Sequence, residues 1–284
     1  MTLPTASAPP ITHYENFPVA SLLSPPHLRA PIRAIYHFAR CADDLADEGN
    51  APAQQRLLDL QAYRRDLSAC TTAGFQSQRW PQVFTPLQTA IARHALPLQL
   101  LHDLLDAFVQ DVEKTADGSC YASEAELLDY CCHSANPIGR LLLHLYGVTD
   151  PVSLAHSDAI CSALQLINFW QDLSRDIPRS RHYLPLHDCE RMGVDRADLL
   201  ALRQTPAASA LIASCAASAR ARMVQGQALV HRLPGRAGWE LRLVVQGGLR
   251  ILDKLQAQDF AALRQRPVLR WWDGPLLLWR ALWM

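Results

Sequence analysis

Between positions 160 and 170 the chain is apolar almost without interruption, yet Asn168, Asp172 and Asp176 follow at intervals of four residues. In a helix, positions i and i+4 lie one turn apart on one face, with Cβ atoms about 5–6 Å from each other. The segment therefore reads as a buried helix with one oxygen-bearing stripe. An upstream segment repeats the pattern, with Asp43 and Asp47 in Phe38-Ala39-Arg40-Cys41-Ala42-Asp43-Asp44-Leu45-Ala46-Asp47-Glu48. Like charges at this spacing repel and weaken a helix, so they call for a compensating role. Two such helices face to face would form a cage of hard oxygen ligands suited to Mg²⁺, with diphosphate as the expected guest. The plainer alternative is a pair of solvated acidic faces or helix caps.

A chain of 284 residues that is 49% apolar, rich in Ala and Leu and poor in Gly, is expected to be all-α. No run of about 18 uncharged apolar residues marks a membrane-spanning helix, and no secretory signal opens the chain. Basic residues are scattered and the formal net charge is zero, which argues against nucleic acid as a partner. The eight cysteines show no Cys-x-x-Cys spacing and fall mostly within apolar helical patterns. They point to reduced thiols, no zinc site and a cytoplasmic location.

Residues 1–12, rich in Pro, Ala and Thr, are expected to form a disordered tail, and 13–284 one helical domain. Apolar periodicity predicts helices near 27–46, 52–69, 80–94, 97–114, 123–134, 136–147, 153–177, 206–232, 237–258 and 267–282, broken at Gly and Pro. His102 and His144 are expected on helix surfaces. The segment Arg270-Trp271-Trp272 through Leu276-Leu277-Leu278-Trp279 is aromatic, apolar and basic. It reads either as a helix capping the core or as one resting on a bilayer surface.

Asp43 and Asp47 would form one wall of the metal site, and Asn168, Asp172 and Asp176 the other. Asp44, about 100° around the helix from Asp43, would stand behind the first wall. Arg40, one turn before Asp43, is placed either to grip diphosphate oxygens or to pair with Asp43 and Asp44. Tyr36, Phe38, Phe169, Trp170 and Tyr183 are the aromatic candidates for lining such a site, Tyr36 and Tyr183 foremost. Asn136-Pro137 at a helix start, with Gly139 one turn on, reads as a kink that opens space and lets Asn136 orient a water.

These motifs resemble the squalene/phytoene synthase family. The resemblance rests on Asn16-Phe17-Pro18-Val19-Ala20-Ser21, on Ile35 through Glu48 with its paired aspartates, and on the second aspartate motif followed by Arg181-His182-Tyr183-Leu184-Pro185. It implies an isoprenoid synthase fold, a helical bundle around a central cavity with Mg²⁺ at the mouth and an apolar tunnel below. It also implies substrate contacts from Asn16, Tyr36, Arg40, Tyr121, Gln165, Arg181 and Arg266.

Glu15 through Val19, Ser134 through Arg140, Asn168 through Asp172 and Val245 through Leu252 are most similar to the branch that forms hydroxysqualene. Condensing members usually carry Arg where this chain has Gln171, and an aromatic near Gly248. An Arg-Tyr step is replaced by Ser119-Cys120-Tyr121 after an Ala116-Asp117-Gly118 insertion. The implied reaction is ionisation of presqualene diphosphate and capture of the cation by water. Head-to-head condensation of two prenyl diphosphates is the nearest rival, and a non-catalytic assembly factor a more distant one.

Overall fold

The computed structural model describes residues 24–284; the tail expected over 1–12 and the motif containing Asn16 lie outside the described residues. Four helices come first: α1 (Pro26–Asp47), α2 (Ala53–Ala69), α3 (Pro81–His94) and α4 (Leu98–Asp117). Their inward faces bury Phe38, Tyr63, Phe84, Leu87 and Leu101 in one apolar cluster. Next come α5 (Glu124–Ser134), α6 (Asn136–Leu145) and α7 (Pro151–Asp176). The short helices α8 (Leu186–Arg191) and α9 (Arg196–Leu200) lead into α10 (Pro206–Gly226), α11 (Arg236–Ala257) and α12 (Gly274–Leu282). A second cluster centres on α7, with Leu164, Ile167, Trp170, Met223 and Leu252 among its members. Helix α6 straddles the two, since Leu141 belongs to the first and Leu143 to the second.

Local chemistry explains most boundaries. Proline opens α1, α3, α6, α7, α10 and α12 within the first two positions, where a missing N–H leaves no bond unmade. Asp150 caps α7 by accepting from the Ser153 amide, and Ser123 and Thr205 cap α5 and α10 in the same way. Among the described residues there is no strand, and one isolated bridge joins Cys120 to His182.

The predicted helices are present, with three adjustments. The stretch 206–232 leaves α geometry at Gly226 and continues as a 3-10 turn over Gln227–His231. The last α-helix begins at Gly274 rather than near 267, after a 3-10 turn over Trp271–Asp273. Helices α8 and α9 are too short to leave a periodic signature. His144, expected on a surface, places Nε2 2.8 Å from the His94 carbonyl oxygen and ties α6 to the end of α3.

Gly139 does not open space. A Cβ there would sit 2.4 Å from Ser157 Oγ and 2.5 Å from Cys161 Sγ, so the glycine lets α6 lie close against α7. Gly226 does the same for α10, its missing Cβ lying 2.5 Å from the His156 carbonyl oxygen. Its φ of −83° and ψ of −19° suit alanine equally well, so space alone excludes a side chain. Gly→Ala inside a helix ordinarily stabilises by about 1 kcal/mol, whereas overpacking a rigid contact costs about 1–3 kcal/mol. Gly226→Ala should therefore lower the thermal midpoint, by roughly 2–4 °C for each net kcal/mol lost. Circular-dichroism melts check this, and an unchanged or raised midpoint would show that α10 and α7 are not in rigid contact.

Candidate active site

From 160 to 173 every residue of α7 is buried except Gln165, Asn168 and Asp172. The stripe read from the sequence is thus the one edge of this part of the helix that solvent or a ligand can reach. One turn further on, Asp176 is likewise partly exposed. Across the seam, Asp43, Asp44 and Asp47 lie on the partly exposed side of α1, while Phe38, Ala42 and Ala46 are buried.

Two distant segments reach these walls. After α7 the chain turns sharply at Ser180, whose φ is 61°, and runs back beside 120–122. There the Leu186 amide donates to the Tyr121 carbonyl (2.9 Å) and the His187 amide to that of Ala122 (3.0 Å). Alternate residues of an extended segment share a side, which places Arg181 and Tyr183 together. Arg181 Nη2 donates to Asp47 Oδ2 at 2.8 Å and also interacts with Asp176, so one guanidinium joins the two aspartate motifs. Beyond α11, Arg266 pairs with Asp172 through two hydrogen bonds.

Gln171 explains why Arg266 arrives there. Its buried side chain donates from Nε2 to the Pro267 carbonyl oxygen at 2.7 Å, pinning the crossing segment one residue from Arg266. Gly248 meets the facing side of α7. A Cβ on it would lie 2.9 Å from Met223 Cε and 3.1 Å from Leu164 Cδ2, so that space is already filled. Arg40 lies 3.1 Å from Asp43, 2.7 Å from Asp44 and 3.4 Å from Glu48.

The aromatic candidates divide. Phe38 and Trp170 are core, the former against Tyr63 and Phe84. Phe169 stacks on Tyr183 at 3.7 Å, and Tyr183 stacks on Tyr121 at 5.9 Å. Lys114 sits 4.4 Å above the Tyr121 ring and pairs with Glu126 at 2.9 Å. A lysine therefore stands beside the position where the expected Arg-Tyr step is broken. Tyr36, partly exposed, meets His37 edge-on. Asn136 is buried; its Oδ1 accepts from Ser162 Oγ at 2.9 Å and its Nδ2 points to Cys132 Sγ at 3.7 Å.

One residue escaped the sequence reading. Asp111 on α4 accepts a 2.7 Å hydrogen bond from the Tyr130 hydroxyl and interacts with Asp47 and Arg181. A single carboxylate within Phe108-Val109-Gln110-Asp111-Val112 is the only trace it leaves in the sequence. Burial raises the Asp111 carboxyl to about 7. Burial, then the neighbouring Asp47, does the same to Asp43, and burial with Asp172 to Asp176. Three carboxyls thus carry negative charge at neutral pH only at a cost, and Asp47 Oδ1 is buried with no hydrogen-bond partner.

This donor set suits a hard divalent cation. Among the described residues, no three His, Cys, Asp or Glu side chains converge closely enough to ligate one ion by themselves. The guanidiniums of Arg40, Arg181 and Arg266 occupy the carboxylates instead, leaving each wall able to supply part of a coordination sphere. A cleft of about 940 Å³ lined by Gln246, Asp253, Trp279 and Trp283 lies elsewhere, and none of the paired aspartates borders it.

An acid whose folded pKa is raised binds more protons in the native state than in the unfolded chain. Metal-free protein therefore loses stability to this group as pH rises from about 4 through 7, and no further above that. Asp111→Asn, tested without metal, should match the wild type at about pH 4 and gain over it as pH rises to 7, by a few degrees. Melts at stepped pH provide the measurement. A pH-independent difference would mean that Asp111 ionises normally.

The squalene/phytoene synthase family model matches residues 12–273. A hydroxysqualene synthase of Sinorhizobium fredii is 33% identical over 89% of this chain and 82% of its own length. Another, from Zymomonas mobilis, is 38% identical over 69% of this chain and 65% of its own. Among solved structures, a squalene synthase from Alicyclobacillus acidocaldarius superposes with a TM-score of 0.78 at 35% identity, covering 87% of this chain and 90% of that one. The helices described above are therefore those of the isoprenoid synthase fold, and the chain belongs to the squalene/phytoene synthase family.

Proposed function

We propose that this protein converts presqualene diphosphate and water to hydroxysqualene and diphosphate. The observation that carries the reading is the arrangement of two acidic stripes joined by Arg181, with Arg266 on the second, in a relative of hydroxysqualene synthases. The C–O bond to diphosphate breaks, the rearranged cation takes the oxygen of water, and the water's proton leaves with the diphosphate.

Asp43, Asp47, Asn168, Asp172 and Asp176, with Asp111 behind them, would hold Mg²⁺, which neutralises charge on a diphosphate leaving group when bound. Arg40, Arg181 and Arg266 are already beside those carboxylates and exchange one anionic partner for another when diphosphate arrives. Gln171 holds the Arg266 segment in place. Asn16, Tyr36, Tyr121 and Gln165 complete the substrate-binding set in this reading. Burial pushes the Tyr130 and Tyr183 phenols well above their ordinary range, so both remain neutral and cannot act as anionic traps for a cation. The Asn136–Ser162 pair is a polar spot on the α6–α7 seam from which Asn136 would position the attacking water.

The second reading, head-to-head condensation, has less support. The Gln171 amide is committed to Pro267, and the space beside Gly248 is filled by Met223, Leu164 and Ile167.

Asp47→Ala and Asp172→Ala should each cut turnover of presqualene diphosphate by roughly 10²-fold or more while the circular-dichroism spectrum is kept. Chelator should abolish wild-type turnover, and added Mg²⁺ should restore it. Full activity in excess chelator would remove the metal from the reading.

Run in ¹⁸O-labelled water, the reaction should place the label in the alcohol, and farnesyl diphosphate alone should give little C30 product. Unlabelled alcohol overturns water capture, and efficient condensation favours the second reading.

A further inference from the structure

Helix α12 presents its apolar side to the outside. Pro275, Leu278, Trp279, Leu282 and Trp283 are exposed, Trp279 by 60% and Trp283 by 76%, while Ala281 is buried. Its one charged residue, Arg280, turns to Asp253 at 2.6 Å. The turn ahead of it exposes Trp271 by 85% and Trp272 by 50%. The alternative of a core-capping helix therefore fails for the tryptophans. Five of the seven tryptophans in the chain lie after position 238, and all five are exposed, whereas Trp80 and Trp170 are buried.

This surface is held rigidly. Asp273 is buried and takes Arg250 Nε, Lys254 Nζ and the Arg270 amide, each at 2.8 Å. Arg242 donates to the Ala281 carbonyl at 3.1 Å and lies 4.7 Å over the Trp239 ring. An apolar face on a fixed, ion-paired base marks a binding surface, because a contiguous exposed apolar patch is costly in water.

We propose that α12 and the turn before it seat the protein on an anionic lipid bilayer. Charge complementarity selects this occupant. Residues 232–284 carry nine Lys and Arg against four Asp and Glu; Arg232, Arg250, Lys254, Arg266 and Arg280 are ion-paired, while Arg242 and Arg270 lie over the Trp239 and Trp272 rings at the face itself. Tryptophan with arginine is the composition favoured at a membrane–water interface, and basic segments are drawn to anionic headgroups. No described helix is long and apolar enough to cross a membrane, so the contact is peripheral. The surface lies apart from the paired aspartates and stands independently of the reaction proposed above.

The test uses the full chain with vesicles of phosphatidylglycerol and phosphatidylcholine, and with vesicles of phosphatidylcholine alone. Co-sedimentation should occur with the anionic vesicles and weaken with salt, since screening shortens the reach of charge to about 10 Å at 0.1 M. The double variant Trp279→Ser with Trp283→Ser should bind about tenfold or more weakly. Leu58→Ser, at an exposed apolar site on α2, should bind as the wild type does. Phospholipids with brominated acyl chains should quench tryptophan emission of the wild type, a readout that needs no variant to fold. Absence of binding to anionic vesicles, equal binding by the double variant, or no quenching overturns the proposal. So does a concentration-dependent dimer in sedimentation velocity that the double variant abolishes, because a second copy would then cover the face.

Discussion

Carboxylates that repel one another across a partly exposed seam are the condition around which this structure is arranged. Asp43, Asp47, Asp111, Asp172 and Asp176 come from three helices, and burial holds Asp43, Asp111 and Asp176 near 7. Such a group needs opposite charge or a proton, since an isolated buried anion is strongly disfavoured. Arg181 and Arg266 provide that charge, and each belongs to an irregular segment with no period of its own. The turn at Ser180 and the crossing at Pro267 are thus tied to the site by electrostatics as well as by packing.

The helices themselves are fixed by close approach. Gly139 and Gly226 let α6 and α10 lie against α7 with no room for a methyl group, while Leu164, Ile167 and Trp170 fill its other sides. Interiors packed this closely move little when one surface changes. The single accessible stripe of Gln165, Asn168 and Asp172 is consequently presented on a rigid support. That suits a site whose task is to position charge, because misplaced ligands lose most of their effect.

At the far end of the chain the same physics runs the other way. The charges of α12 and the preceding turn are turned inward to Asp253 and Asp273, and the aromatic residues are left outside. The ion pairs that hold the helix are partly or fully shielded, while its apolar surface is not. A face of this kind gains by leaving water, and a neighbouring excess of arginine sets which apolar phase it meets.

Much of this was legible in the residues. Spacing of four between acids in an apolar run sufficed to place Asp43, Asp47, Asn168, Asp172 and Asp176 on helix edges, because helical period and burial are local properties. Helix starts followed from Pro at the first positions and from side-chain caps. Asp111 was not legible, since one acid on an amphipathic helix looks the same whether it faces solvent or a seam. The role of Gln171 was hidden as well, because its partner Pro267 is 96 residues away. Gly139 was misread for the same reason: a glycine that opens space and one that closes it differ only in what lies opposite, here Ser157 and Cys161. The sequence by itself determined the long helices and which of their edges carry carboxylates. Only the tertiary structure decided which arginine meets which carboxylate and which apolar face stays outside, because those outcomes depend on contacts between segments far apart in the chain.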